Sequence, residues 1–199
     1  MPDRLRRLRD RVRGLEDADR PASALLIVRE ILRNHPDDAN ALVLQGRLLA
    51  SLARYGEAEQ SLCAALDLFT DDSAFAVYRE LGHLYESWGR LELALAQFEK
   101  VVAARPEHAS GHIYAGGVLA RLGRFDEAMA SHTKATQCPE GQIDEAYFNL
   151  GLVLRAQERF DEAKTCLERA LEIDPSYAEA RQALSDVATA LQSQSAGRE

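Results

Sequence analysis

Residues Asp144–Pro175 read DEAYFNLGLVLRAQERFDEAKTCLERALEIDP, and this stretch decides the fold. Tyr147, Leu150, Gly151 and Leu154 recur at the 3.6-residue period and share one face of a first helix. Phe160, Ala163, Leu167 and Ala170 do the same on a second helix. Gln157–Arg159 make a short turn between them, and Pro175 cannot continue the second helix. Gly151 and Ala163 are small where two antiparallel helices must cross, and overpacking at such a place costs about 1–3 kcal/mol.

The same unit recurs along the chain. Gly46, Gly82, Gly116 and Gly151 lie 36, 34 and 35 residues apart, and Val12 stands 34 residues before Gly46 as the anchor of a worn first copy. Eight residues after each anchor is an arginine (Arg20, Arg54, Arg90, Arg124, Arg159), and twelve after is an alanine (Ala24, Ala58, Ala94, Ala128, Ala163). The third copy keeps Tyr78, Leu81, Tyr85, Phe98 and Pro106. The second lacks the closing proline, has Thr70 there, and carries a two-residue insertion near Asp71 and Asp72. Such a period predicts a solenoid of stacked units, a design that offers a long binding surface more often than a catalytic pocket.

The order aromatic–leucine–glycine–aromatic, then alanine, aromatic, alanine and proline resembles the tetratricopeptide repeat family over residues 5–175. The resemblance implies an all-α, right-handed superhelical solenoid of antiparallel helix pairs, with about five repeats and a C-terminal capping helix. The divisions it suggests are a degenerate first repeat at 5–38, repeats at 39–74, 75–108, 109–143 and 144–177, and a cap at 176–192. Residues 1–192 are thus expected to form one array, with a disordered tail at 193–199. The family is mostly one of protein-interaction scaffolds, so the resemblance implies a non-catalytic adaptor that holds a partner segment in its concave groove. The alternative is a self-assembling module that forms a homo-oligomer through its ends or convex face.

In this family the first helices line the groove, with inward residues six, three and two before the glycine and one, four and five after it. Those offsets select Arg47, Arg79 and His83 in the second and third copies as candidate protein-binding residues. In the fourth they select Tyr114, Gly117 and Arg121, and in the fifth Phe148, Asn149, Leu152 and Arg155. Arginine and aromatic side chains are frequent binding anchors, and the mixed groove implies an acidic and apolar partner segment. The carboxylate clamp of chaperone-binding members is not matched: its lysine and asparagine slots in the third copy hold Arg79 and His83, the next asparagine slot holds Tyr114, and only Asn149 agrees.

Composition closes other routes. A net charge of −8 argues against general nucleic-acid binding, and no apolar run reaches the roughly 20 residues of a membrane span. Six arginines precede Val12 or follow it at once, but Leu5, Leu8, Val12 and Leu15 make a helical stripe among them, so a solvated capping helix is expected rather than a basic arm for an acidic partner, nucleic acid or anionic membrane. Cys63, Cys138 and Cys166 are odd in number and far apart, which fits reduced thiols in a cytoplasmic protein. There is no phosphate-binding glycine loop, G-x-S-x-G turn or H-E-x-x-H. His108, His112 and Cys138 make at most a weak three-ligand set, and no metal or cofactor is expected. In the fourth copy His112 and His132 stand in slots that are usually apolar, and Ala115 replaces leucine, so this copy is expected to open first.

Overall fold

The computed structural model describes residues 2–69 and 74–196. Among them are eleven helices: α1 (Pro2–Asp17), α2 (Pro21–Asn34), α3 (Ala39–Ser51), α4 (Tyr55–Leu68), α5 (Ala74–Ser87), α6 (Leu91–Ala104), α7 (Ala109–Arg121), α8 (Phe125–Thr136), α9 (Ile143–Ala156), α10 (Phe160–Ile173) and α11 (Ala178–Ala196). Thr70 and the insertion at Asp71 and Asp72 lie outside the described residues, as do the last three of the expected tail. Residues 193–196, the rest of that stretch, are placed at the end of α11. Ser193 there donates a hydrogen bond to the Thr189 carbonyl one turn back, so its polar side chain stays compatible with helix.

The helices pack in chain order within two compact units, Met1–Gln97 and Phe98–Glu199. In the first, α1 packs on α2, α2 on α3, α3 on α4 and α4 on α5, while α3 also meets α5. In the second, α7 packs on α8, α8 on α9, α9 on α10 and α10 on α11, while α7 and α11 each meet α9.

The anchor glycines set how closely the paired helices approach. A Cβ on Gly46 would lie 2.6 Å from Leu62 Cγ, and one on Gly151 would lie 2.9 Å from Leu167 Cγ. Leu62 and Leu167 are buried sixteen residues after their glycines, so the leucine of the second helix fills the notch in the first. At Gly116 the same notch holds the imidazole of His132, 2.6 Å from the place of the missing Cβ.

All five turns between first and second helices are built alike. The residue seven after the anchor has positive φ: Asp19 (51°), Ala53 (56°), Gly89 (75°), Gly123 (76°) and Glu158 (60°). Its N–H bonds the carbonyl three back, and the next N–H, from the arginine, bonds the carbonyl five back, as in Ala53 to Ala50 and Arg54 to Leu49. This is the Schellman closure, in which a left-handed residue lets the last carbonyls of a helix find donors. Glycine enters that conformation without a Cβ clash, whereas other residues pay about 1 kcal/mol. Ala53→Gly is therefore expected to raise stability by about 0.5–1 kcal/mol and Gly123→Ala to lower it by about 1 kcal/mol. Urea denaturation of the two variants checks both signs.

At α4, α8 and α10 the periodic arginine then stands at the N-cap position, where its side chain pairs with a first-turn acid and makes no cap hydrogen bond. Arg54, Arg124 and Arg159 each fork onto a glutamate three residues later, Glu57, Glu127 and Glu162, with both contacts at 2.6–2.7 Å. The hydrogen bonds from Arg124 and Arg159 hold the Glu127 and Glu162 carboxyls below their ordinary value. A glutamate in the first turn also faces the positive end of the helix dipole. Arg90 has Leu93 in the glutamate's place and lies instead over the Trp88 ring, 3.5 Å from its centre, with Tyr55 stacked 5.7 Å from that ring.

Candidate functional site

In the first unit, the first-helix face carries two adjoining grooves. One, of about 310 Å³, runs between α1 and α3 and is lined by Arg9, Val12, Arg13, Glu16, Ile31, Asn40, Ala41, Val43, Leu44 and Arg47. The other, of about 260 Å³, runs between α3 and α5 over Gly46, Leu62 and Leu84, with Arg47, Ala50, Ser51, Glu80, His83 and Ser87 around it. Arg47 borders both. The structure thus brings Arg47 and His83 to one groove, while Arg79 lies off its lining and contacts Glu80 at 3.1 Å.

Charge is uneven along this face. Three arginines and one glutamate line the α1–α3 groove. Arg47 reaches Glu16 at 2.7 Å, Arg9 reaches Asp38 at 2.7 Å, and Arg13 has no ion-pair partner among the described residues. His83 Nδ1 is 3.6 Å from Glu86. The floor between the arginines is apolar, from Val12, Val43 and Leu44. The guanidinium ends of these pairs are about half-exposed while Asp38 and Glu16 are more covered, so an incoming carboxylate can reach the arginines from the solvent side.

In the second unit the candidate residues divide. The Tyr114 ring tilts against Phe98 with centroids 5.2 Å apart and packs with Ala109, Ile113, Ala135 and Ala146. Phe148 packs against Tyr177 at 4.9 Å, and Leu152 joins it on the cluster of Leu154, Leu167, Ala183 and Val187. Arg155 reaches Asp186 of α11 at 3.3 Å. The C-terminal helix and the chain leading to it therefore engage Phe148, Leu152 and Arg155. Asn149 is half-buried and its amide makes no hydrogen bond among the described residues. A Cβ on Gly117 would meet nothing within 4 Å, so that glycine leaves the α7 surface low without any packing need. Arg121 is exposed at the end of α7.

In the histidine–cysteine set, His112 and Cys138 both meet the Pro106 backbone, and His108 is turned to another task. His108 Nδ1 caps α7 by accepting from the Ser110 N–H at 3.3 Å, and Cys138 Sγ points to the carbonyls of Pro106 and Lys134. Among the described residues no three His, Cys, Asp or Glu side chains group as metal ligands would. No described helix is long and apolar enough to cross a membrane.

Residues 9–73 and 76–108 match two family models, each described as a tetratricopeptide repeat. The chain is a tetratricopeptide repeat protein. Residues 107–198 match a model described as the N-terminal domain of the T7SS, ESX-1 secretion system protein EccA1. Protein O-mannosyl-transferase TMTC1 of Homo sapiens is 30% identical over 139 residues, which are 68% of this chain and 15% of that protein. The chain thus spans well under a fifth of that relative's length. Among solved structures, YrrB, described as a TPR protein with an unusual peptide-binding site, superposes with a TM-score of 0.62 at 21% identity, covering 86% of this chain and 87% of that one. The first TPR of Spaghetti (RPAP3), bound to the HSP90 peptide SRMEEVD, superposes with a TM-score of 0.57 at 26% identity, covering 62% of this chain and 97% of that one.

Within this tetratricopeptide protein, Arg9, Arg13 and Glu16 are groove residues that sequence reasoning passed over. The signal was present. The inward offsets counted from Val12 reach all three, but a cap reading of the arginine-rich segment leaves those offsets without a role there. In the structure one helix does both jobs, since Leu8 and Val12 are buried while Arg9 and Arg13 border the groove.

Proposed function

We propose that this tetratricopeptide protein is a non-catalytic interaction module that binds an acidic and apolar segment of a partner protein on its first-helix face. The observation that carries the reading is the pair of grooves meeting at Arg47, with an apolar floor and a surplus of arginine toward α1. Val43 and Leu44 offer area for apolar side chains, and Arg9, Arg13 and Arg47 offer forked donors for carboxylates. Support also comes from the two solved neighbours, one bearing a peptide-binding site and the other a bound peptide rich in glutamate and aspartate. The three free thiols accord with a cytoplasmic setting.

Selection from a random peptide library by the full chain is expected to enrich sequences that combine acidic and apolar residues. Arg47→Glu is expected to weaken capture of the selected peptides by about tenfold or more, because it reverses the charge shared by both grooves. Raising the salt should weaken binding of the parent protein. Enrichment of basic sequences, or equal affinity of parent and variant, overturns the proposal.

A further inference from the structure

A third groove lies in the second unit, on the side of the second helices. It has a volume of about 540 Å³, within the range of pockets that hold small organic groups. Leu150 and Leu154 of α9 and Met129 of α8 form an apolar floor. Ala130 and Thr133 on α8 and Thr165 and Cys166 on α10 are short, so the two second helices leave a trough between them.

The repeat itself shows what such a place accommodates. Leu154 is three residues after its anchor glycine, and Met129 is thirteen after its own. The same slots in the first unit hold Tyr85 and Glu59. Tyr85 is buried, and its hydroxyl donates to Glu59 Oε1 at 2.6 Å, so a phenol from α5 closes the seam with α4. In the second unit leucine is shorter than the phenol of that slot, and Met129 offers a polarisable thioether, a group that favours aromatic contact, although its sulfur already accepts from Arg159 Nη1 at 3.2 Å, a contact that an incoming ring must share or displace.

The rim adds a sign. Asp126 and Glu162 border the groove against Arg159 alone, and both guanidinium N–H groups of the fork already bond Glu162. Arg159 also feels the charge of Asp126, so the three groups together leave the rim with one net negative charge, and Asp126 is exposed at the start of α8.

We propose that this groove is a second protein-docking site, which takes an aromatic side chain of a partner segment with a basic residue beside it. The ring sits on Leu150, Leu154 and Met129, at the seam that Tyr85 closes in the first unit, and the neighbouring cation meets Asp126. The site is separate from the first-helix grooves, and its partner carries the opposite charge from the one they take.

Met129 reports on the site directly, since Met1 is the sole other methionine. The full chain is labelled at the methionine methyls with carbon-13 and titrated with the blocked peptide acetyl-Lys-Tyr-Lys-amide, with acetyl-Lys-Ala-Lys-amide as control. The tyrosine peptide is expected to shift the Met129 methyl saturably, and the alanine peptide to leave it in place. Asp126→Asn is expected to weaken the tyrosine peptide by about threefold. Leu154→Tyr restores the missing phenol and is expected to abolish the response. Ala130→Trp, at an exposed position, fills the trough from α8 and should do the same should Leu154→Tyr disturb the core. No saturable shift, equal shifts from both peptides, or an undiminished response in the filled variants overturns the proposal. So does a Met129 shift that appears on raising protein concentration alone, which would assign the groove to a second copy of the chain.

Discussion

Leucine in place of His132 is expected to stabilise the second unit by about 2 kcal/mol at neutral pH, because the histidine is a buried polar group without a full set of partners. His132 is 1% exposed, and its Nδ1 has no hydrogen-bond partner among the described residues. The corresponding slots of the second and fifth copies hold Leu62 and Leu167, so leucine already fits this notch beneath a glycine. Burial lowers the imidazole from its ordinary value of 6.5 to about 4. Between those values the unfolded chain carries a proton that the folded chain refuses. The histidine's contribution is thus unchanged above pH 6.5, and stability falls as the pH drops toward 4. Over that window the parent should lose about 3 kcal/mol relative to His132→Leu. Denaturant titrations of both proteins at pH 7 and pH 4.5 measure the difference, and parallel losses would remove His132 as the cause. Hydrogen exchange adds a local reading. Amides from Ile113 to Ala135 should exchange faster than those from Tyr147 to Ala170 in the parent, and His132→Leu should slow the first set. Equal protection in the parent would contradict a weak fourth repeat.

Two glycines in first helices should respond in opposite directions. Gly46→Val is expected to cost about 3 kcal/mol, at the upper end of overpacking penalties. The new Cβ alone would lie 2.6 Å from Leu62 Cγ and 3.2 Å from the Ala58 carbonyl oxygen. Leu62 is buried and cannot swing aside, and the carbonyl belongs to the α4 backbone, so α3 and α4 must separate. Gly117→Ala is expected to gain about 0.5–1 kcal/mol, since its Cβ would point into open space and alanine is the better helix former. Thermal unfolding followed by circular dichroism distinguishes them: the Gly46 variant should melt well below the parent and the Gly117 variant slightly above it. A Gly117→Ala protein that melts lower would mean that this glycine answers to packing and not to the open groove.

Much of the fold was legible because a tetratricopeptide repeat writes its packing into fixed offsets. Gly46, Gly116 and Gly151 each sit sixteen residues before the side chain that fills them, and the pairing of helices follows from chain order. The turn device was harder to see. Only two of its five left-handed residues are glycine, and Asp19, Ala53 and Glu158 disguise the pattern. The arginine eight residues after each anchor was visible as a marker of period, but its fork onto glutamate depends on the angle at which the turn delivers it to the next helix.

Offsets alone could place residues on the first-helix face but could not tell which of them the protein keeps for itself. Phe148, Leu152 and Arg155 carry the right offsets, yet Tyr177 and α11 engage them, because the terminal helix packs where another repeat would. Arg47 and His83 carry the same kind of offset and border a groove. The sequence by itself determined the helix order, the small residues at the crossings and the weak composition of the fourth repeat, since each depends on residues a fixed number of steps apart. The tertiary structure decided that His132 Nδ1 lacks a partner among the described residues, that the arginines of α1 join the α3 groove, and that a trough opens between α8 and α10. Each of these depends on the lengths and directions of side chains from two or three helices at once, and a period along one chain does not contain that information.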